Sequence, residues 1–234
     1  MSRSGAPMFT DWTAPLPEGG GSEESALAFD DSRDHRLLVI PPLFDEHNKL
    51  RRQLVEVMRR LDAAGIDAVL PDLPGWNEST APLGDQTVES WRAGIAAACE
   101  RFGITHVLAV RGGALLLPET LPTFVYAPQN GAQLLRGMVR ARSIAAREAG
   151  REEKTQDIME AAREHGIELA GWHLGGAMVR QLEAAKYAPA PDHRMIEHAE
   201  IGGTPLWLRA EPDGDAEQAD ALAGLIAREL RGPQ

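Results

Sequence analysis

The sequence predicts an α/β protein: a mostly parallel sheet with helices on both faces. Two observations carry this. Short apolar runs recur at residues 37–40, 66–70 and 104–110, each closed by proline, glycine or a polar turn, and amphipathic helical stripes fill the intervals between them. Strand, loop and helix alternating at this spacing require right-handed crossovers, which place helices on both faces of one parallel sheet. A third observation bounds the size: with 234 residues, 43% of them hydrophobic, the chain can bury one sizeable core. We therefore expect one domain over residues 35–234 with a helical insertion at about 131–165.

Residues 1–34 are rich in Gly, Pro, Ser and acidic residues, including Gly19-Gly20-Gly21-Ser22, and lack sustained periodicity, so they read as an extended lead-in pinned by Phe9 and Trp12. Residues 37–40 form a strand stopped by Pro41-Pro42. The helix that follows places Leu50, Leu54, Val57 or Met58, and Leu61 on one face and ends near Gly65. Residues 66–70 are the second strand, 71–82 a loop, and Val88, Trp91, Ile95, Ala98 and Phe102 the stripe of the second helix. Residues 104–110 are the third strand, running into a helix start at 112–117, and 122–127 the fourth strand. The rhythm then breaks. Residues 131–165 read as helical throughout, with Arg136, Arg140, Arg142, Arg147 and Arg151 along them. Residues 167–170 are a short strand, 177–185 a helix, 204–210 a further strand and 216–230 a closing helix.

The formal net charge of −11 repels polyanions, so neither nucleic acid nor an anionic membrane surface is an expected partner, although local basic patches could hold small anions. No stretch reaches the ~20 apolar residues of a membrane span. No basic segment followed by an apolar run opens the sequence, so no signal peptide is expected. The single cysteine, Cys99, cannot form an internal disulfide and falls on the apolar face of a predicted helix, where it reads as a small buried residue. A cytoplasmic protein is expected. There is no H-x-x-x-H pair, cysteine cluster, Walker motif or dinucleotide fingerprint, so no metal and no cofactor is expected.

In parallel sheets ligands meet the carboxyl ends of the strands, so the loops at 41–52, 72–79 and 110–114 should converge. The last has the frame of a nucleophile elbow, the G-x-S-x-G bend of α/β-hydrolases, but reads Ala109-Val110-Arg111-Gly112-Gly113. Arg111 stands where the nucleophile belongs, and a guanidinium cannot attack a carbonyl. The 41–52 loop occupies the place of the oxyanion loop. Asn48, Lys49 and Arg52 lie on the first turns of its helix, whose weakly positive N-terminus could join Arg111 in an anion pocket. Alternatively Asp45 and Glu46 cap the helix while Lys49 and Arg52 pair with them. Asp72-Leu73-Pro74-Gly75-Trp76-Asn77-Glu78-Ser79 resembles the D-x-P-G-x-G-x-S turn of the same fold, in which the aspartate ties loops together and the serine is structural. Trp76 either lines a pocket or covers the sheet edge. A triad would also need a late acid and a final histidine. His165, His173, His193 and His198 follow no convincing last strand, and the chain is expected to end before a final strand with its histidine.

Together these residues resemble one branch of the α/β-hydrolase fold, the second type of exosortase A system-associated hydrolase. Residues 41–52 look like that family's P-P-F-x-E-E-x-N-K-x-R-R loop, and 109–115 like its G-x-R-x-G-A-L elbow, which also carries arginine for serine. Tyr126-Ala127-Pro128-Gln129-Asn130-Gly131 looks like its W-x-P-x-x-x-G segment, and Glu168-Leu169-Ala170-Gly171-Trp172-His173-Leu174 like its E-x-A-G-Y-x-L segment. The match spans about residues 37–185. Ala109, Phe44-Asp45 and Trp172 depart from the pattern. The resemblance implies an α/β-hydrolase-like sheet with a helical lid, in a bacterial protein tied to exopolysaccharide production and envelope protein sorting. The leading expectation is a binder of an anionic or acyl-bearing glycan precursor, with Glu46 and Arg111 at its centre and Asn48, Lys49, Arg52, Asp72, Trp76 and Gln129 around it. Two alternatives stand beside it: an ester or thioester hydrolase in which Glu46 or Asp72 activates water, and a non-catalytic interaction subunit docking through the basic 131–154 helices.

Overall fold

The computed structural model describes residues 6–151, 153–211 and 213–232. Its centre is a seven-stranded sheet. In chain order the strands are β1 (Met8–Pro15), β2 (Gly21–Phe29), β3 (Arg36–Ile40), β4 (Asp67–Pro71), β5 (His106–Val110), β6 (Thr123–Tyr126) and β9 (His193–Ile196), and in space they run β1-β2-β4-β3-β5-β6-β9. From β4 to β9 neighbouring strands are parallel, and β1 and β2 add an antiparallel hairpin to the β4 edge. The crossovers are α1 (Asp45–Ala63), α2 (Val88–Arg101) and, between β6 and β9, an insertion of α3 (Gly131–Glu148), α4 (Thr155–His165), the hairpin β7 (Ile167–Leu169) and β8 (Trp172–Leu174), and α5 (Gly176–Ala184). The short α6 (His198–Ile201) follows β9, and α7 (Ala216–Arg231) closes the described chain.

Side-chain alternation along a strand divides the core into two layers. Leu38 and Ile40 of β3 join Trp12, Trp91, Ile95 and Val107 on the α2 side, whereas Leu37 and Val39 join Leu54, Val57, Met58 and Leu61 of α1 and Leu222 and Ile226 of α7. Helix starts are fixed locally: the Thr87 hydroxyl and Ser90 form a reciprocal capping box on α2, and Asp215 accepts the Gln218 amide at α7. Cys99 is buried, and that burial pushes its thiol up to about 11, so it stays an inert thiol.

Four sequence expectations change. The lead-in is the β1–β2 hairpin, its first five residues lying outside the described residues; Gly19 and Gly20 make its turn at φ +92° and +77°. Trp12 is indeed buried there, but Phe9 is 71% exposed and pins nothing. The helix start at 112–117 is only a 3-10 turn, Arg111–Leu115, because Pro118 disfavours helical geometry just before it. The strand expected at 204–210 is a loop with a 3-10 turn, Leu206–Leu208; Pro205 has no N–H to give a ladder. The last strand is instead β9, and His198 stands two residues beyond it, so a histidine does follow the final described strand. The 131–165 segment is helical, as α3 and α4 with a break at 149–154; Glu152 in that break lies outside the described residues.

Candidate functional site

At the end of β5 the backbone turns through Arg111, a non-glycine residue held at φ +54°, a left-handed conformation that costs roughly 1 kcal/mol or more. The bend is forced from below. A Cβ on Gly113 would lie 2.5 Å from the Pro41 carbonyl oxygen and 2.6 Å from that of Ile40, so the turn presses on the end of β3 and tolerates only glycine there. The strained elbow is thus present with arginine at its tip.

All three nitrogens of the Arg111 guanidinium donate. Its Nε donates to Glu46 Oε2 at 2.9 Å and Nη2 to Oε1 at 3.0 Å, a bidentate ion pair, while Nη1 donates to the Ala127 carbonyl at 3.2 Å. The Trp207 ring covers it, with the guanidinium carbon 4.5 Å from the ring centroid. Only 14% of the Arg111 side chain and 18% of Glu46 remain exposed. Glu46 reaches the elbow because α1 starts abruptly after Phe44, at φ +55°, which puts Asp45 and Glu46 in the first helical turn, where negative charge suits the helix dipole.

Of the other expected residues, Lys49 and Gln129 line the same cleft, a space of about 290 Å³ walled by Leu43, Phe44, Leu134, Met138 and Trp207. Lys49 pairs with Asp45 one turn earlier at 2.8 Å. The Gln129 amide donates to the Arg111 carbonyl at 3.2 Å, and its side-chain Oε1 is buried without a hydrogen-bond partner. Asn48 and Arg52 are exposed and outside this lining; Arg52 faces the loop at Gly214. Trp76 is 1% exposed and packs between His47 and Trp91, so it neither lines the cleft nor covers an edge. Asp72 ties loops together, accepting from Arg51 at 2.8 Å and Asn77 at 2.6 Å; its cation is Arg51, which the sequence reading passed over. Ser79 is structural: its hydroxyl donates to the buried Glu24 at 2.8 Å and accepts the amides of Gly75 and Ala81. Burial, then the nearby Arg51, pushes His47 down to about 4, which keeps it neutral beneath the loops.

Three further residues meet at this end of the sheet: Tyr126 and His198, which the sequence offered without a place in the site, and Trp207, which it did not single out. Tyr126, at the end of β6, places its hydroxyl 2.6 Å from His198 Nδ1, and His198 Nε2 lies 3.1 Å from the Gly203 carbonyl. A carbonyl only accepts, so Nε2 carries the proton and Nδ1 accepts from the phenol. Burial raises the phenol's pKa, opposed by Arg111, so it remains a donor. Trp207 packs on Tyr126, His198 and Arg111 together. Both nitrogens of His198 are therefore committed, and the elbow offers no nucleophile. Among the described residues no group of three or more His, Cys, Asp or Glu is placed to hold a metal, and no helix is long and apolar enough to cross a membrane.

The sheet order, the parallel crossovers and the strained turn after β5 define an α/β-hydrolase fold. A protein of Agrobacterium vitis S4 assigned as a hydrolase is similar over 95% of this chain and 98% of that one, with a TM-score of 0.52 at 14% identity. A CIB-like hydrolase of Thermoplasma acidophilum aligns over 97% and 100% with a TM-score of 0.47 at 11% identity, and the alpha/beta hydrolase GrgF of Penicillium sp. sh18 over 75% and 72% with 0.46 at 14%. The first likeness carries the fold, and at such identities it carries the fold alone. No protein-family model and no curated protein matches the sequence.

Proposed function

We propose that this chain is a non-classical α/β-hydrolase-fold protein that binds an anionic or acyl-bearing envelope precursor rather than cleaving it, in the service of exopolysaccharide production or envelope protein sorting. The observation that carries the reading is the locked Arg111–Glu46 pair at the elbow. Arg111 has no lone pair with which to attack, and each Glu46 oxygen already accepts a charge-assisted bond from it, which holds the carboxylate on the arginine rather than on a water. The cleft beside them suits an alkyl chain: Leu43, Phe44, Leu134 and Met138 supply apolar walls, and burial there is worth ~25 cal/mol per Å². At its polar end Lys49, paired with the 55% exposed Asp45, is the cation open to exchange with an anionic head group. In this reading the insertion at 131–165 is the lid, with α3 contributing Leu134, Gly137, Met138 and Ala141 to the cleft. The pathway assignment rests on the resemblance of residues 41–52 and 109–115 to exosortase-associated hydrolases.

The test pairs turnover with binding. Hydrolysis of short and long acyl esters and thioesters is measured for the parent, Arg111→Ala and Glu46→Gln, beside calorimetric titration of the parent and Gly137→Leu with fatty acids. Gly137 lines the cleft and a Cβ on it meets nothing within 4 Å, so leucine fits there without a clash and should take up room in the cleft. The expected result is no turnover and saturable binding that Gly137→Leu weakens at least tenfold. Turnover by the parent that both site variants abolish would replace binding with serine-independent hydrolysis.

A further inference from the structure

Resting on the ligand reading above, we propose that Trp207 sets the length of acyl chain that the cleft accepts. The indole is common to two spaces. It walls the cleft of about 290 Å³ and also an apolar hollow of about 20 Å³ bounded by Leu50, Leu54, Val110, Leu206 and Leu222. Among the described residues Trp207 is the one that lines both. That shared ring is where the two spaces could be joined.

The chemistry of the hollow points to an alkyl occupant. It exceeds the roughly 10–15 Å³ that one water needs, yet its polar neighbours are already committed. Gln53 exchanges both amide hydrogen bonds with the Asp215 backbone, at 2.9 and 2.8 Å. Gln218 Nε2 donates to the Thr204 carbonyl at 2.9 Å, and the Tyr126 hydroxyl is taken by His198. A water there would find few partners, whereas methylenes would meet the leucine and valine walls. Trp207 is fixed as the barrier by edge-on contacts: its ring lies 5.8 Å from Tyr126 at 75° and 5.1 Å from His198 at 73°, and Arg111 sits over its face. A ring held in this way can act as a stop, and shrinking it should join the hollow to the cleft.

The experiment is calorimetric titration of the purified full chain with straight-chain fatty acids from butanoate to hexadecanoate, each below its micellar concentration. Each methylene that enters apolar surroundings tightens binding roughly fourfold. The parent should gain about fourfold per methylene up to one chain length and then level off. In Trp207→Ala the levelling point should move to longer chains, with the gain of about fourfold continuing past the parent's limit; Trp207→Phe should move it less and serves as the test if the alanine variant does not fold. A parent that binds with a defined limit, unmoved in either variant, overturns the role of Trp207 and leaves the ligand reading standing. A folded parent that binds no fatty acid overturns the ligand reading and the chain-length stop with it.

Discussion

Glu46→Gln should unlock the elbow at a cost that the geometry bounds. Exposed ion pairs are worth roughly 0–1 kcal/mol, whereas removing one partner of a buried pair costs about 3–5. With side chains 14% and 18% exposed and two charge-assisted bonds, the Arg111–Glu46 pair falls between these limits, so losing the carboxylate should cost about 2 kcal/mol. Arg111→Ala loses the same pair and the contact with Trp207, for a total of about 3 kcal/mol. Because the pair can be lost only once, the double variant should also cost about 3 kcal/mol, a coupling of about 2. Urea denaturation of the four proteins measures the cycle, and thermal melting should show Glu46→Gln lowered by roughly 4–8 °C for a chain of this size. Arg111→Gly should be about 1 kcal/mol more stable than Arg111→Ala, since glycine accepts φ +54° freely. Additivity of the two changes within ~0.5 kcal/mol would refute the coupled, desolvated pair on which the binding reading depends.

His47, pushed down to about 4 against an ordinary value of 6.5, binds its proton in the unfolded chain before the folded one, so its contribution is present above pH 6.5 and is lost as pH falls toward 4. That loss reaches ~3 kcal/mol, and the acid limb of a pH–stability curve should be shallower by that amount in His47→Gln than in the parent. Ser79→Ala should cost about 1–2 kcal/mol by stripping the buried Glu24 of a donor, and any hydrolytic activity found should survive it; abolition of turnover with unchanged stability would make Ser79 a nucleophile after all. Gly113→Ala drives a methyl into two backbone carbonyls and should cost at least about 2 kcal/mol, seen as a lowered melting temperature or as insoluble protein; a neutral result would mean the elbow is looser than described.

The buried parallel strands β3 to β6 were readable because each is a short apolar run with proline or glycine at its end, a pattern that burial on both faces demands. β2 escaped because its buried positions include Ser22 and Glu24, polar residues whose burial depends on partners distant in sequence, such as Ser79 for Glu24. β9 escaped because it is four residues long and, of its two apolar side chains, buries Ile196 but leaves Met195 41% exposed. At the site, Arg111 and Glu46 could be found from their loops, and Lys49 from its place one turn after Asp45. Trp207 could not, and His198 was set aside because β9 before it was not recognised: their contacts with Tyr126 and Arg111 join segments with no spacing signal between them. Arg52 was preferred to Arg51 although a rotation of about 100° per residue separates the two on the helix, and only the fold says which one faces Asp72.

The pairing of α1 with α7 has a consequence for how the protein is made. Gln53 meets Asp215 across 162 positions of sequence, and Arg60 meets Asp220 across 160. The side of α1 that carries Leu50, Leu54 and Met58 is covered by Leu222, Ala223 and Ile226, residues synthesised long after it. At about 5–20 residues per second, a ribosome leaves that apolar surface bare for roughly 8–30 s before its cover emerges. The core layer between the sheet, α1 and α7 is thus finished by a late, long-range docking step, and until then its leucines face water.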